Sequence, residues 1–337
     1  MVVEHRQMSW LLYGWFTGLM CLGSVFGAVT WAAWMQSLVA EFNIYAPGRS
    51  LAQQESFHAQ GQYWFVAFYV TYAIEFMCLS VAKLLVLDRM ADFAAAKSDG
   101  MRRRLAAGGR VVMAAVVVGN VVGFVANVAA AVFAKEIGDL HSAAAAAFAS
   151  NNASMGHNFK GLALAKSNVK LETLSVQQFC EVAVLLITII AFAVVGIACG
   201  RRVSSALRDM NDELVEAAGR HMRRQIVGTA AFVFVTFLLR AVFSTMNAVS
   251  RVLQNEGAAC GATANGFCDS ACYNVWWLTL IWITFTPEFQ LSVVFISSPL
   301  ALLVALWGMT SARTLQIMNY SRRKMALIGD SAVLRTR

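Results

Sequence analysis

The sequence has only three prolines in 337 residues, and charged side chains make up 14% of it. The first scarcity points to an almost wholly helical chain, because proline breaks helix interiors. The second excludes an ordinary soluble domain, in which roughly a quarter of the residues are charged. Alternating segments of about ten residues are missing too, which excludes a transmembrane β-barrel. There is no HExxH, no Cys/His zinc spacing, no GxSxG and no phosphate-binding loop, and the five histidines are scattered. The expectation is a protein that is not an enzyme, with no catalytic residue, no metal and no cofactor.

What is present is apolar. Hydrophobic residues are 58% of the chain and the mean hydropathy is +0.59. Several apolar runs reach the roughly 20 residues that a helix needs to cross a bilayer. The fold class expected is therefore all-α, a polytopic integral membrane bundle. The N-terminal run is too long and too aromatic for a cleaved leader, so it reads as a retained anchor. Spans fall at about 10–34, 63–87, 111–133, 179–199, 226–248 and 287–309 of a membrane domain covering 1–311, followed by a basic tail at 312–337.

The last span is the hardest to place. Residues 274–310 form 37 residues with one charge, Glu288. As a single helix they would run about 55 Å, well beyond a ~30 Å hydrocarbon layer. Thr286, Pro287 and Glu288 make a helix-start pattern that divides them. The reading is one crossing from Pro287, preceded by a Trp-rich interfacial helix.

Basic residues decide orientation. With six spans and both ends inside, 19 of the 27 Lys and Arg lie in cytoplasmic segments. Only 6 then lie in the outer loops at 35–62, 134–178 and 249–286. The +8 net charge beside the spans suits anionic lipid headgroups rather than nucleic acid. A homo-oligomer or a membrane-protein partner is the other expected association. Residues 134–149 have high helix propensity and should carry the third span outward as a helical extension.

Outer-side chemistry agrees with this orientation. Asn152-Ala153-Ser154 is a glycosylation sequon, and Cys260, Cys268 and Cys272 share one outer loop. Cys180 at the outer end of span 4 supplies a fourth disulfide candidate, with connectivity open. Together they place the protein in the plasma membrane or another secretory-pathway membrane.

Small residues mark helix packing. Gly14 and Gly18, and Gly23 and Gly27, stand four apart in span 1. Ala115, Gly119, Gly123, Asn127 and Ala131 form a stripe on span 3, with an amide able to bond across it. Pro299 inside span 6 produces a kink and a candidate hinge. Lys83, near the end of span 2, is read as reaching the headgroups.

Charges inside spans are costly, so each is a candidate site. Glu75, Glu181 and Arg240 qualify. On span 5, Thr236, Arg240, Ser244 and Asn247 share a face, and Tyr72 shares the face of Glu75. Arg240 is within reach of either carboxylate. One reading is an ion pair that locks the spans together. The other is a polar intramembrane cavity that handles a small solute or ion. A receptor or a signalling or assembly scaffold is the alternative function.

Overall fold

The computed structural model describes residues 2–95, 99–208, 224, 228, 231, 232, 234–246, 248, 249 and 278. These residues are helical apart from the turns at 45–50 and 150–152. Four long helices come first: α1 Val2–Ile44, α2 Leu51–Ala95, α3 Asp99–Ala149 and α4 Ala153–Arg208. A shorter apolar helix, α5 (Phe234–Met246), follows. The four long helices each carry a stretch long and apolar enough to cross a membrane, which is the make-up of a multi-pass membrane protein. The segment 274–286 expected at the interface, apart from Leu278, and Pro299, Glu288, Asn247, Cys260, Cys268, Cys272 and the tail lie outside the described residues.

Consecutive helices pack as antiparallel hairpins, α1 on α2, α2 on α3 and α3 on α4. The helices run 43 to 56 residues. At 1.5 Å per residue that is about 65–84 Å, more than twice the hydrocarbon thickness. The surplus lies largely at the end that carries the 45–50 and 150–152 turns. Two of the expected outer loops are helical over most of their length. Residues 51–62 and almost all of 134–178 are helix, continuous with the spans. Backbone groups paired inside a helix need no other partner, so a polar sequence with good propensity extends an existing span readily.

Local sequence sets both turns. Ser50 and Gln53 form a reciprocal capping box at the start of α2: Gln53 N–H donates to Ser50 Oγ, and Ser50 N–H to Gln53 Oε1. Gly48, at φ 79°, supplies the left-handed residue that turn needs. At the other turn Asn151 takes φ 56°. Asn152 N–H donates to Ala147 O and Asn151 N–H to Phe148 O, which closes α3 as a Schellman motif. Asn152 Oδ1 then accepts from Met155 N–H and caps α4.

The interior relies on small side chains. Ala33, Ala40, Ala73, Ala82, Ala126, Ala130, Ala134 and Ala163 are all buried. Backbones approach closely where alanine and glycine meet, the packing mode that apolar solvent favours. Valines at 117, 118, 121, 122 and 125 of α3 are exposed and form an apolar outer face. A larger core joins Phe16, Leu79, Val86, Leu185, Ile189, Phe192 and Phe237 across α1, α2, α4 and α5.

The glycine patterns separate clearly. Gly23 and Gly27 of α1 face Cys78 and Glu75 of α2, whereas no described residue lies within 4 Å of a Cβ built at Gly14 or Gly18. On α3, a Cβ at Gly119 would stand 2.4 Å from Val184 Cγ2, while no described residue lies within 4 Å of one at Gly123. The Asn127 Oδ1 atom has no partner among the described residues.

Beyond the apolar segment of α2, polar contacts clamp the turn end. Glu55, 1% exposed, takes His141 Nδ1 of α3 at 2.5 Å and Lys160 Nζ of α4 at 2.9 Å. His58 stacks on His141 with ring centroids 5.0 Å apart. Tyr63 OH donates to Asp139 at 2.8 Å, Lys170 Nζ to Gln62 Oε1 at 2.9 Å, and Lys166 pairs with Glu136. Burial alone would raise the Glu55 carboxyl, but His141 and Lys160 outweigh it and hold it at about 2. Burial and the neighbouring His141 lower the His58 imidazole.

Two outcomes follow from this packing. Gly119→Ala should lower thermal stability in detergent by about 1–3 kcal/mol through overpacking against Val184, and Gly123→Ala should leave it unchanged. The second concerns acid. A depressed carboxyl contributes stability above its ordinary 4.5 and loses it as pH falls through about 2. The lowered His58 imidazole has the same sign at higher pH, so its contribution falls as pH drops below 6.5. Acid titration of the unfolding midpoint should therefore decline in both windows, and Glu55→Gln should flatten only the lower one.

Candidate polar site within the helix bundle

Three helices bring the site together. α2 supplies Tyr72, Glu75 and Lys83; α4 supplies Gln177 and Glu181; α5 supplies Arg240 and Ser244. Tyr72 is set in place by an aromatic ladder one turn apart along α2, stacking on Phe68 at 5.8 Å and on Phe76 at 6.4 Å. Trp34 of α1 packs against Phe65 and Phe68 and buttresses the ladder. The tyrosine hydroxyl is thereby pointed across the bundle at α4.

Glu181 is the centre of the network. Arg240 Nη2 lies 3.1 Å from Glu181 Oε1, and Ser244 Oγ donates to the same oxygen at 3.1 Å. Tyr72 OH donates to Oε2 at 2.5 Å, and Gln177 Nε2 to Oε2 at 3.3 Å. Arg240 Nη2 also donates to Tyr72 OH at 3.1 Å. Four donors on two oxygens give the ionised carboxylate a full set of partners, which an apolar medium demands. Of the two carboxylates within reach of Arg240, the pair forms with Glu181.

Glu75 is placed differently. Its carboxyl lies against Gly27 of α1, where an added Cβ would stand 3.1 Å from Cδ. No described residue donates a hydrogen bond to it. It lines a small cavity with Tyr72, Phe76, Leu79, Lys83, Leu185 and Arg240, of about 10 Å³, the room of a single water.

Lys83 corrects the sequence reading. It is 4% exposed and turned inward, with Nζ 4.8 Å from the centre of the Phe237 ring of α5. A cation held over an aromatic face inside the bundle replaces the expected headgroup contact. Thr236 and Ser244 are buried on the Arg240 face of α5. Cys180 carries a thiol and is in no disulfide, as are Cys21, Cys78 and Cys199. Its helix is packed on α3, with the Cys180 carbonyl 4.0 Å from a Cβ built at Gly119. Among the described residues no group of His, Cys, Asp and Glu forms a metal site.

Three contributors escape the sequence. Gln177 stands one helical turn before Glu181, a spacing that marks it as a partner. Lys83 lies two turns from Glu75 on the same helix, and Gly27 is legible only once α1 is docked. Buried oxygens of Ser80, Asn120 and Gln178 also lack partners among the described residues, positions suited to bound water.

No protein-family model, no curated protein and no solved structure matches the chain.

Removing one partner of a buried pair strands the other charge. Arg240→Leu should cost about 3–5 kcal/mol, and Arg240→Leu with Glu181→Leu should recover most of it. Thermal unfolding followed by size-exclusion chromatography in detergent measures both.

Proposed function

We propose that this is a membrane protein that handles a small solute or ion through the polar cluster within its helix bundle. The observation that carries this reading is Glu75, a carboxyl inside an apolar span that lines a cavity and has no donor among the described residues. Ionisable groups are expensive in such surroundings and are characteristic of ion and proton pathways. A purely structural carboxylate would be expected to resemble Glu181, with every oxygen engaged.

In this reading the chain crosses six times with both ends cytoplasmic. The Lys and Arg distribution supports it, as does the order of the hairpins, which sets the 45–50 and 150–152 turns at one end. Those turns would be outer, with Asn152 exposed for glycosylation and the opposite face against anionic headgroups in a plasma or secretory-pathway membrane. The scaffold or receptor alternative draws on a different observation. The Tyr72–Glu181–Arg240 network ties α2, α4 and α5 with complete hydrogen bonding, as a structural lock would. The thiol at Cys180 removes one support for a disulfide-stapled outer surface.

Purified protein reconstituted in liposomes separates these readings. A panel of ions and small solutes should show flux above empty liposomes that is lost in Glu75→Gln. Absence of flux for every species would favour the scaffold.

A further inference from the structure

We infer that the species exchanged at this site is a proton, carried on the Glu75 carboxyl; the inference rests on the ion-handling reading above. The two carboxylates of the cluster differ in what protonation would break. On Glu181 a proton would disrupt the contacts with Arg240, Ser244, Tyr72 or Gln177. On Glu75 it would disrupt no hydrogen bond from any described residue. Glu75 is therefore the group that gains and loses a proton while the helices stay in register.

Coordination and charge favour a proton over the other ions at this position. A metal cation needs a shell of several oxygens. The space beside Glu75 is about 10 Å³, and two resident cations, Lys83 and Arg240, line it. Among the described lining side chains the other oxygen acceptor, the Tyr72 hydroxyl, is engaged with Arg240 and Glu181. A proton needs no shell and passes through one water. An anion would meet the Glu75 carboxylate in a space too small for it.

Among the described residues, the groups that face Glu75 come from four helices. α2 presents Tyr72, Cys78 and Lys83; α4 presents Glu181; α5 presents Arg240. α1 presents Gly27, which bears no charge. With Glu75 ionised, the charges of Glu75, Glu181, Lys83 and Arg240 balance. One proton on the carboxyl leaves the cluster with one positive charge, so loading changes its net charge and movement responds to voltage. A hydronium ion reaching the cavity transfers H⁺ to a Glu75 oxygen and leaves as water, and deprotonation passes that proton to a water, regenerating hydronium and the carboxylate.

The test uses full-length protein in liposomes holding a pH-sensitive dye, with the voltage set by potassium and valinomycin. Wild type should acidify the lumen when the voltage is inside-negative, and Glu75→Gln should not. In parallel, infrared spectra over a pH titration should show a protonated carboxyl band that Glu75→Gln removes. Gly27→Ala keeps the carboxyl but presses on it, so the band should shift and proton flux should slow. If Glu75→Gln does not fold, that shift decides, and an unshifted band overturns the inference. Flux of sodium, potassium, chloride or a solute without proton flux overturns the proton and leaves ion handling standing. No flux of any species overturns both.

Discussion

An ionised carboxylate in an apolar layer has no water to solvate it, so the protein must supply every partner. Glu181 meets that demand through Tyr72 of α2 and Gln177 of its own helix, with Arg240 and Ser244 of α5 completing it. The relative rotation of three helices follows, because each must turn a particular residue inward. Tyr72 can reach α4 only if the aromatic face of α2 is inside, and that rotation turns Glu75 toward the cavity beside Gly27 of α1. The second carboxyl is thus brought inside by the geometry that satisfies the first.

Small residues make that geometry possible. In an apolar medium, burying apolar surface gives helices little reason to associate, so close backbone approach and polar contacts carry more of the binding. Gly27 lets α1 lie against a carboxyl, and Gly119 lets α3 lie against Val184. The hydroxyl contact from Thr30 to Thr71, at 2.9 Å, joins α1 and α2 between the aromatic ladder and Glu75. Each interface pairs a site of close approach with a polar contact.

Hydropathy made the first four spans legible, because twenty apolar residues have few alternatives to a membrane helix. The helical extensions were half legible: the alanine-rich end of α3 announced itself by propensity, while 51–62 and 153–178 read as loops because they are polar. The caps at Ser50–Gln53 and Asn151–Asn152 were available in the sequence, and they locate both turns. For the site, helical periodicity grouped Tyr72 with Glu75 and Thr236 with Arg240 and Ser244. Periodicity along one helix does not say how two helices are rotated against each other. That is why the partner of Arg240 stayed open between two glutamates, and why Lys83 was assigned outward when it faces Phe237. Which of two glycine pairs on α1 is used is likewise a property of the docked pair.

The length of α4 has a mechanical consequence. It runs unbroken from Ala153 through Glu181 to Arg208, so the stretch from the Asn152 turn to the carboxylate is about 44 Å of continuous helix. Such a rod would act as a lever if it pivoted at Glu181. A tilt of about 10° there would sweep the far turn through about 8 Å at that length. Glu55, His141 and Lys160 bind that arm to its neighbours, so the sweep would be shared by the whole turn end.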